Sequence, residues 1–344
     1  MPIQRRKLIR GLASASALAC FWPGARGVLA AGVSADDLPP LEGELTLYLG
    51  RGEGGLYEKV LAAIEQRNPG FKLAIRRGPT AALANAIVAE GKAGVRRADV
   101  FWAVDSGAIG LIDSQGLALP LPTDLTAQLQ PQFRYANWTP VTGRIRTLPY
   151  HTESVDPGQL PSDIMRLPES GFTIGWAPAY ASFQSFVTAM RLLQGDAATA
   201  DWLQRMGRVA KPFAGELGVV MAVERGELQL GLANHYYALR LKAGKPDAEV
   251  GLAFTQHDAG CLVNASGVLA LGQRELATNF IRYLLTREVQ SYLAREAFEL
   301  PLIEGIEPPP GLPALSGVNP PAVDLTQLAD LRPTLELMRS AGVL

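Results

Sequence analysis

An α/β fold built as two lobes, each a mixed sheet with helices, is what this sequence predicts. Strand patterns alternate with helical patterns across positions 44–103, and the alternation starts afresh near position 173. That order of elements implies strands laid largely parallel, with helices on their faces. The third observation is length: 344 residues exceed what one hydrophobic core usually fills.

The elements follow in order. Positions 44–49 alternate as a strand, and 50–55 form a glycine-rich turn. Val60, Leu61 and Ile64 give 56–66 a helical spacing. A strand at 72–76, a helix at 81–90 and a strand at 98–103 complete the first half. In the middle, a short strand is expected at 173–177. Phe183, Phe186, Val187, Met190 and Leu193 then form one stripe of a helix over 182–193. A helix at 196–206, a strand at 228–233, a strand at 261–271 and one or two helices over 276–297 follow. Proline and glycine make 304–321 irregular, and 325–340 reads as helical.

Composition narrows the function. With 48% hydrophobic and 19% charged residues the chain is neither disordered nor of low complexity. A formal net charge of −1, without a basic stripe, argues against nucleic acid as a partner. The neutrality hides an asymmetry. The first 31 residues carry five basic side chains (Arg5, Arg6, Lys7, Arg10, Arg26) and no acidic ones, followed by a short apolar run and small residues. This is the layout of an export signal, too short to span a bilayer. The order Arg5, Arg6, Lys7, Leu8, Ile9 resembles the twin-arginine signal. Cleavage near Ala30 or Ala31 would leave 27 basic against 33 acidic residues, a net charge of −6, on an exported protein. The two cysteines make no disulfide framework, because Cys20 lies in the leader and Cys261 is left alone.

Two motifs carry chemistry. Gly50, Gly52 and Gly55 satisfy GxGxxG between a strand and a helix, the context of a dinucleotide site, and Arg76 and Arg77 stand where a 2′-phosphate would be read. An exported NADP-dependent oxidoreductase is therefore one reading, and a plain glycine turn is the other. Tyr236 and Tyr237 form the second motif. Two adjacent phenols at a strand end, converging from an irregular turn, offer hard oxygen donors suited to a highly charged cation; the alternative is aromatic packing. His151, His235 and His257 lack the spacing of a zinc site. His235 is expected to orient the loop beside the tyrosines.

Further strings decide how the tyrosines are read. Leu45, Thr46, Leu47 and Tyr48 with Gly50 and Arg51, then Ala98 to Phe101, Gly143 to Arg146 leading to Tyr150, Ala181 to Gln184 with Phe186 to Arg191, Asn234 to Tyr237, and Phe298 to Leu302 occur in this order. Together they resemble the periplasmic ferric-iron-binding proteins, the bacterial transferrin-like components of iron ABC transporters. The resemblance spans nearly all of the chain after the leader.

The resemblance implies a type II periplasmic-binding-protein fold with a central cleft. It implies lobe 1 at 43–141 plus 263–300, and lobe 2 at 142–262 plus a tail at 301–344. It gives Tyr236 and Tyr237 the role of Fe³⁺ ligands and makes Tyr150 the third tyrosine. Arg144 would pair with a synergistic anion such as carbonate, and Ser182 and Phe183 would present a helix start to it. That last role agrees with serine as an N-cap and with free amides attracting anions. Where the family has a histidine and a glutamate, this chain has Arg51, Gly52, Glu53 and Ala103, Val104, Asp105. Glu53 is thus either an oxygen donor or a solvated carboxylate, and Arg51 a residue that screens the anion. Glu216 stands where an asparagine is expected near the anion; there it weakens anion binding or replaces the anion. The implied function is capture of ferric iron in the periplasm by a monomer, without catalysis, and delivery to an inner-membrane permease and its ATPase. The same fold holding a phosphonate, a polyamine or another small anion is the nearest alternative.

Overall fold

The computed structural model describes residues 32–50 and 55–344. The expected leader, with Glu53 and Arg51, lies outside these residues. Among the described residues no helix is long and apolar enough to cross a membrane.

The first part of the chain runs β1 (Gly43–Gly50), α1 (Leu56–Arg67), β2 (Phe71–Gly78), α2 (Thr80–Lys92), β3 (Val100–Ala103), α3 (Ser106–Ser114) and the single turn α4 (Thr123–Thr126). Strand β1 forms because Leu45, Leu47 and Leu49 point into the core, with Tyr48 buried on the other face. It pairs in parallel with both β2 and β3. Helix α1 lays Tyr57, Val60, Leu61 and Ile64, one stripe at helical spacing, on this sheet.

Strand β4 (Trp138–His151) follows, fourteen residues long and almost entirely buried. The next stretch holds β5 (Ile174–Trp176), α5 (Ala181–Gln194), α6 (Asp196–Val209), β6 (Ala210–Pro212), α7 (Glu216–Glu224), β7 (Leu230–Gly231), β8 (Ala233–Asn234), α8 (His235–Gly244) and β9 (Val250–Ala253). The expected stripe on α5 is real: Phe183 meets Trp176 edge-on, and Phe186 meets Trp202 of α6. Burying each of these rings contributes about 1.5–3 kcal/mol. The predicted strand at 228–233 is two short strands, β7 and β8, and the tyrosine pair lies not on an irregular turn but in the first turn of α8.

The chain then returns through β10 (Val263–Ala270), α9 (Arg274–Leu284), α10 (Arg287–Ala297), β11 (Leu300–Pro301), the single turn α11 (Leu315–Val318) and α12 (Arg332–Ser340). Strand β10 runs antiparallel between β3 and β4. Strand β4 thereby belongs to two halves. From Trp138 to Ile145 it pairs with β10, while Arg146 and Thr147 pair with β8, and Leu148 to His151 with β9. A register shift opposite Pro140 accommodates a proline that cannot donate to the ladder.

The tail touches both halves. A 3₁₀ turn at Leu325–Ala329 packs on α3, whereas α12 packs on α5 and α6. Gly110 permits the first contact: a Cβ there would lie 2.4 Å from the Thr326 carbonyl oxygen.

Candidate metal centre

Two helix starts face one cleft of about 570 Å³. Helix α8 begins after Asn234, so Tyr236 and Tyr237 occupy its first turn, their ring centroids 4.4 Å apart and tilted by 43°. Helix α5 begins after Tyr180, whose extended backbone (φ −83°, ψ 136°) turns its ring toward α8. The Tyr180 and Tyr237 hydroxyls lie 2.8 Å apart, close enough for either to donate to the other. Three phenols therefore meet in the cleft, from two helices whose positive ends favour anionic oxygen.

The local field is mixed. Burial pushes the Tyr236 phenol above its ordinary value; Arg144 pulls it back and Glu216 adds to the rise. Burial raises Tyr237 as well, reinforced by Tyr236 and by the bond to Tyr180. Both phenols are thus neutral at pH 7, and a strongly polarising cation is needed to remove their protons. Cationic groups already stand by for that event. The Arg240 guanidinium lies 4.6 Å from the Tyr236 ring centroid and that of Arg144 lies 6.0 Å away.

Arg144 is anchored on the side of the first half. It donates to the Val104 carbonyl, to Tyr57 Oη at 3.1 Å and to Glu299 Oε1 at 2.8 Å. Glu299 is fully buried and also accepts from Tyr57 and Thr142. The opposing wall is built by Val104, Asp105, Gly107 and Ala108, with Ala81, Ala84 and Asn85 from α2. Asp105 caps α3 by accepting from the Ala108 amide at 3.0 Å, and burial raises its carboxyl against the pull of that amide and of Arg144. Leu328, Ala329 and Leu331 of the tail close the rim. Among the described residues no group of three His, Cys, Asp or Glu side chains is placed to hold a metal. Phenolic oxygen is the donor this cleft concentrates.

Residues 50–155 match the family described as bacterial extracellular solute-binding protein. The chain is 32% identical to the Fe(3+)-binding periplasmic protein of Serratia marcescens, over 81% of its own length and 85% of that protein. It belongs to the periplasmic ferric-iron-binding proteins. The iron-bound HitA of Pseudomonas aeruginosa superposes with a TM-score of 0.77 at 28% identity, over 88% of this chain and all of HitA. A Trichodesmium FutA solved with iron and citrate gives 0.75 at 23% identity, over 88% of this chain and all of that one, which speaks for the fold. That fold is the type II periplasmic-binding-protein fold. The iron-binding proteins are transport components, so the chain is a binding protein and not an enzyme.

Within this ferric-binding fold the expected site residues part company. Tyr236, Tyr237, Arg144 and Ser182 all line the cleft. Tyr150 does not line it. It lies six residues beyond Arg144 on β4, about 20 Å along an extended strand, and packs on β9, where a Cβ at Gly251 would come within 2.3 Å of its ring. Tyr180 lines the cleft where Tyr150 does not. Phe183 is buried in the core, and its amide donates to the Tyr180 carbonyl at 3.0 Å, so it is not offered to an anion. The Ser182 hydroxyl donates to Glu216.

His235 lies beneath the tyrosines. Its Nδ1 accepts from the Ile145 amide at 3.0 Å and its Nε2 contacts the Phe298 carbonyl oxygen at 2.7 Å, fixing one neutral tautomer. Burial lowers its pKa to about 4. The two arginines invoked for NADP are otherwise employed, Arg76 on Glu90 and Tyr48 and Arg77 on Glu58.

Tyr180 and Arg240 were not singled out by sequence. Arg240 follows Tyr236 by four residues, a spacing that shares a helix face once the pair is placed on a helix. Tyr180 immediately precedes α5 at its N-cap position, where its side chain makes no capping bond and its hydroxyl meets Tyr237 instead.

Proposed function

We propose that Tyr180, Tyr236 and Tyr237 bind ferric iron as phenolates, in the periplasm, for delivery to an inner-membrane ABC permease driven by its ATPase. The convergence of three phenols from two helix starts carries the reading. Fe³⁺ is hard and trivalent, so it prefers oxygen and displaces the phenolic protons that a weaker cation would leave in place. A synergistic anion, carbonate or a carboxylate such as citrate, completes the coordination against Arg144.

We assign 43–141 with 263–300 to one lobe and 142–262 to the other, with β4 as the hinge and the tail lying across both. All three phenols come from the second lobe. Iron therefore docks on a prepared face, and the wall of Asp105 and Asn85 closes over it. The protein acts as a monomer, and closure is the signal the permease reads.

The test is optical. A tyrosinate–Fe³⁺ pair gives a visible charge-transfer band. Adding ferric citrate to the apo protein should develop it, and Tyr236→Phe with Tyr237→Phe should abolish it. Unchanged colour and affinity in that double variant would overturn the assignment.

A further inference from the structure

Behind the phenols lies a second polar cluster, with Glu216 and Arg146 set deeper than the cleft wall. Glu216, the first residue of α7, is completely buried. Its carboxylate accepts from three elements at once: the Arg146 guanidinium of β4, the Ser182 hydroxyl of α5 and the Asn234 backbone amide at 2.9 Å. A guanidinium, a hydroxyl and an amide at helix starts are the donors from which oxyanion sites are built. Here the oxyanion is part of the chain.

Two further observations join this cluster to the cleft. Ser182 and Asn234 line the cleft together with Tyr236 and Tyr237, and the charge of Glu216 reaches the Tyr236 phenol. In addition, Arg146 is buried, and its Nε and Nη2 have no hydrogen-bond partner among the described residues. They lie against Phe183 and Phe186, with guanidinium-to-centroid distances of 5.9 and 5.3 Å. Donors outnumber acceptors, so the cluster has capacity for an anion that Glu216 only partly uses.

We infer that Glu216 is a resident anion, a tethered carboxylate occupying the Ser182–Asn234–Arg146 subsite and excluding a small free oxyanion from it. An external anion is then left the Arg144 side of the cleft alone. This rests on the iron reading of the tyrosines, and it names a residue that sets which anions iron binding responds to. Removing the carboxylate opens the subsite: the donors remain and a solution anion takes the vacated place.

The experiment compares wild type with Glu216→Ala, measuring iron affinity by competition with a chelator in carbonate-free buffer, with and without millimolar formate, bicarbonate or phosphate. In Glu216→Ala, formate or bicarbonate should tighten iron binding by about tenfold or more, as a restored supporting contact does. Wild type, left with the Arg144 position alone, should respond to the same additions at least about threefold less than the variant. Arg146 loses its counter-charge in the alanine variant, so Glu216→Asn, which is uncharged and one methylene shorter but keeps a polar acceptor, serves if the first does not fold. It should acquire a bicarbonate response of the same direction. A carboxylate that merely ties α5, α7 and β8 to β4 would give variants whose anion response equals that of wild type, and that result overturns the inference. The double tyrosine variant, run alongside, separates this outcome from failure of the iron site itself.

Discussion

Replacing Tyr180 with phenylalanine separates the cleft seen in the structure from the one expected from sequence. The substitution removes one of three phenolic oxygens and leaves the Tyr237 hydroxyl without its partner at 2.8 Å. Losing that bond on a half-buried side chain costs the apo protein about 1 kcal/mol. The effect on iron is larger. Supporting contacts around a metal are worth 10–100-fold in affinity, so a directly bound phenolate should exceed the upper end, about 100-fold or roughly 3 kcal/mol. Two further readouts follow from the count of phenols. The charge-transfer band should lose about a third of its intensity, and iron uptake should release one proton fewer than in wild type. The assay is a chelator competition followed at the band, with proton release recorded in weakly buffered solution. Tyr150→Phe is the control and should leave all three quantities unchanged. Equal behaviour of Tyr180→Phe and wild type, or a larger loss in Tyr150→Phe, would refute the reasoning.

Three other outcomes are expected. Gly110→Ala should destabilise the fold by about 1–3 kcal/mol in urea unfolding, because the new methyl meets the Thr326 carbonyl oxygen at 2.4 Å; it should also lift the 3₁₀ turn from α3, read as faster hydrogen exchange at 325–331. Glu299→Gln removes the buried counter-charge of partly exposed Arg144 and should cost roughly 1–3 kcal/mol by the same measurement; a loss well under about 1 kcal/mol would show that the pair matters little. His235 makes apo stability depend on pH. Its folded pKa of about 4 lies below the ordinary 6.5, so the unfolded chain binds the proton first, and stability is fully present above pH 6.5 and is lost as pH falls toward about 4. The loss amounts to roughly 3 kcal/mol, and His235→Asn should flatten the unfolding free energy in that window; an unaltered slope would refute it.

The regular elements were legible where a single face decides. Leu45, Leu47 and Leu49 alternate because one face of β1 is wholly apolar and packed, and the Phe183–Met190 stripe follows from one buried face of α5. That stripe also explains why Phe183 could not serve an anion: a side chain in the core cannot also face the cleft. Strand β4 was hidden for the opposite reason. Buried along nearly its whole length and carrying Pro140 and Pro149, it shows neither alternation nor clean β propensity. The tyrosine pair was legible as hard donors, but its helical setting was not, and with that setting went the link to Arg240. Tyr180 was hidden because nothing local aims a capping side chain; the meeting of two helix starts does, and that is a tertiary fact.

The tail has a mechanical meaning. Leu325–Ala329 is fastened to α3 and Arg332–Ser340 to α5 and α6, with only Asp330 and Leu331 between them. Fully extended, that link reaches about 10 Å. The two sides of the cleft are therefore joined by a short leash as well as by β4, and while both contacts hold, α3 and α5 can part no farther than that length of chain allows. Leu328, Ala329 and Leu331 of this stretch sit on the cleft rim. Were the cleft to open and close around its cargo, this link would limit how far its two sides can part.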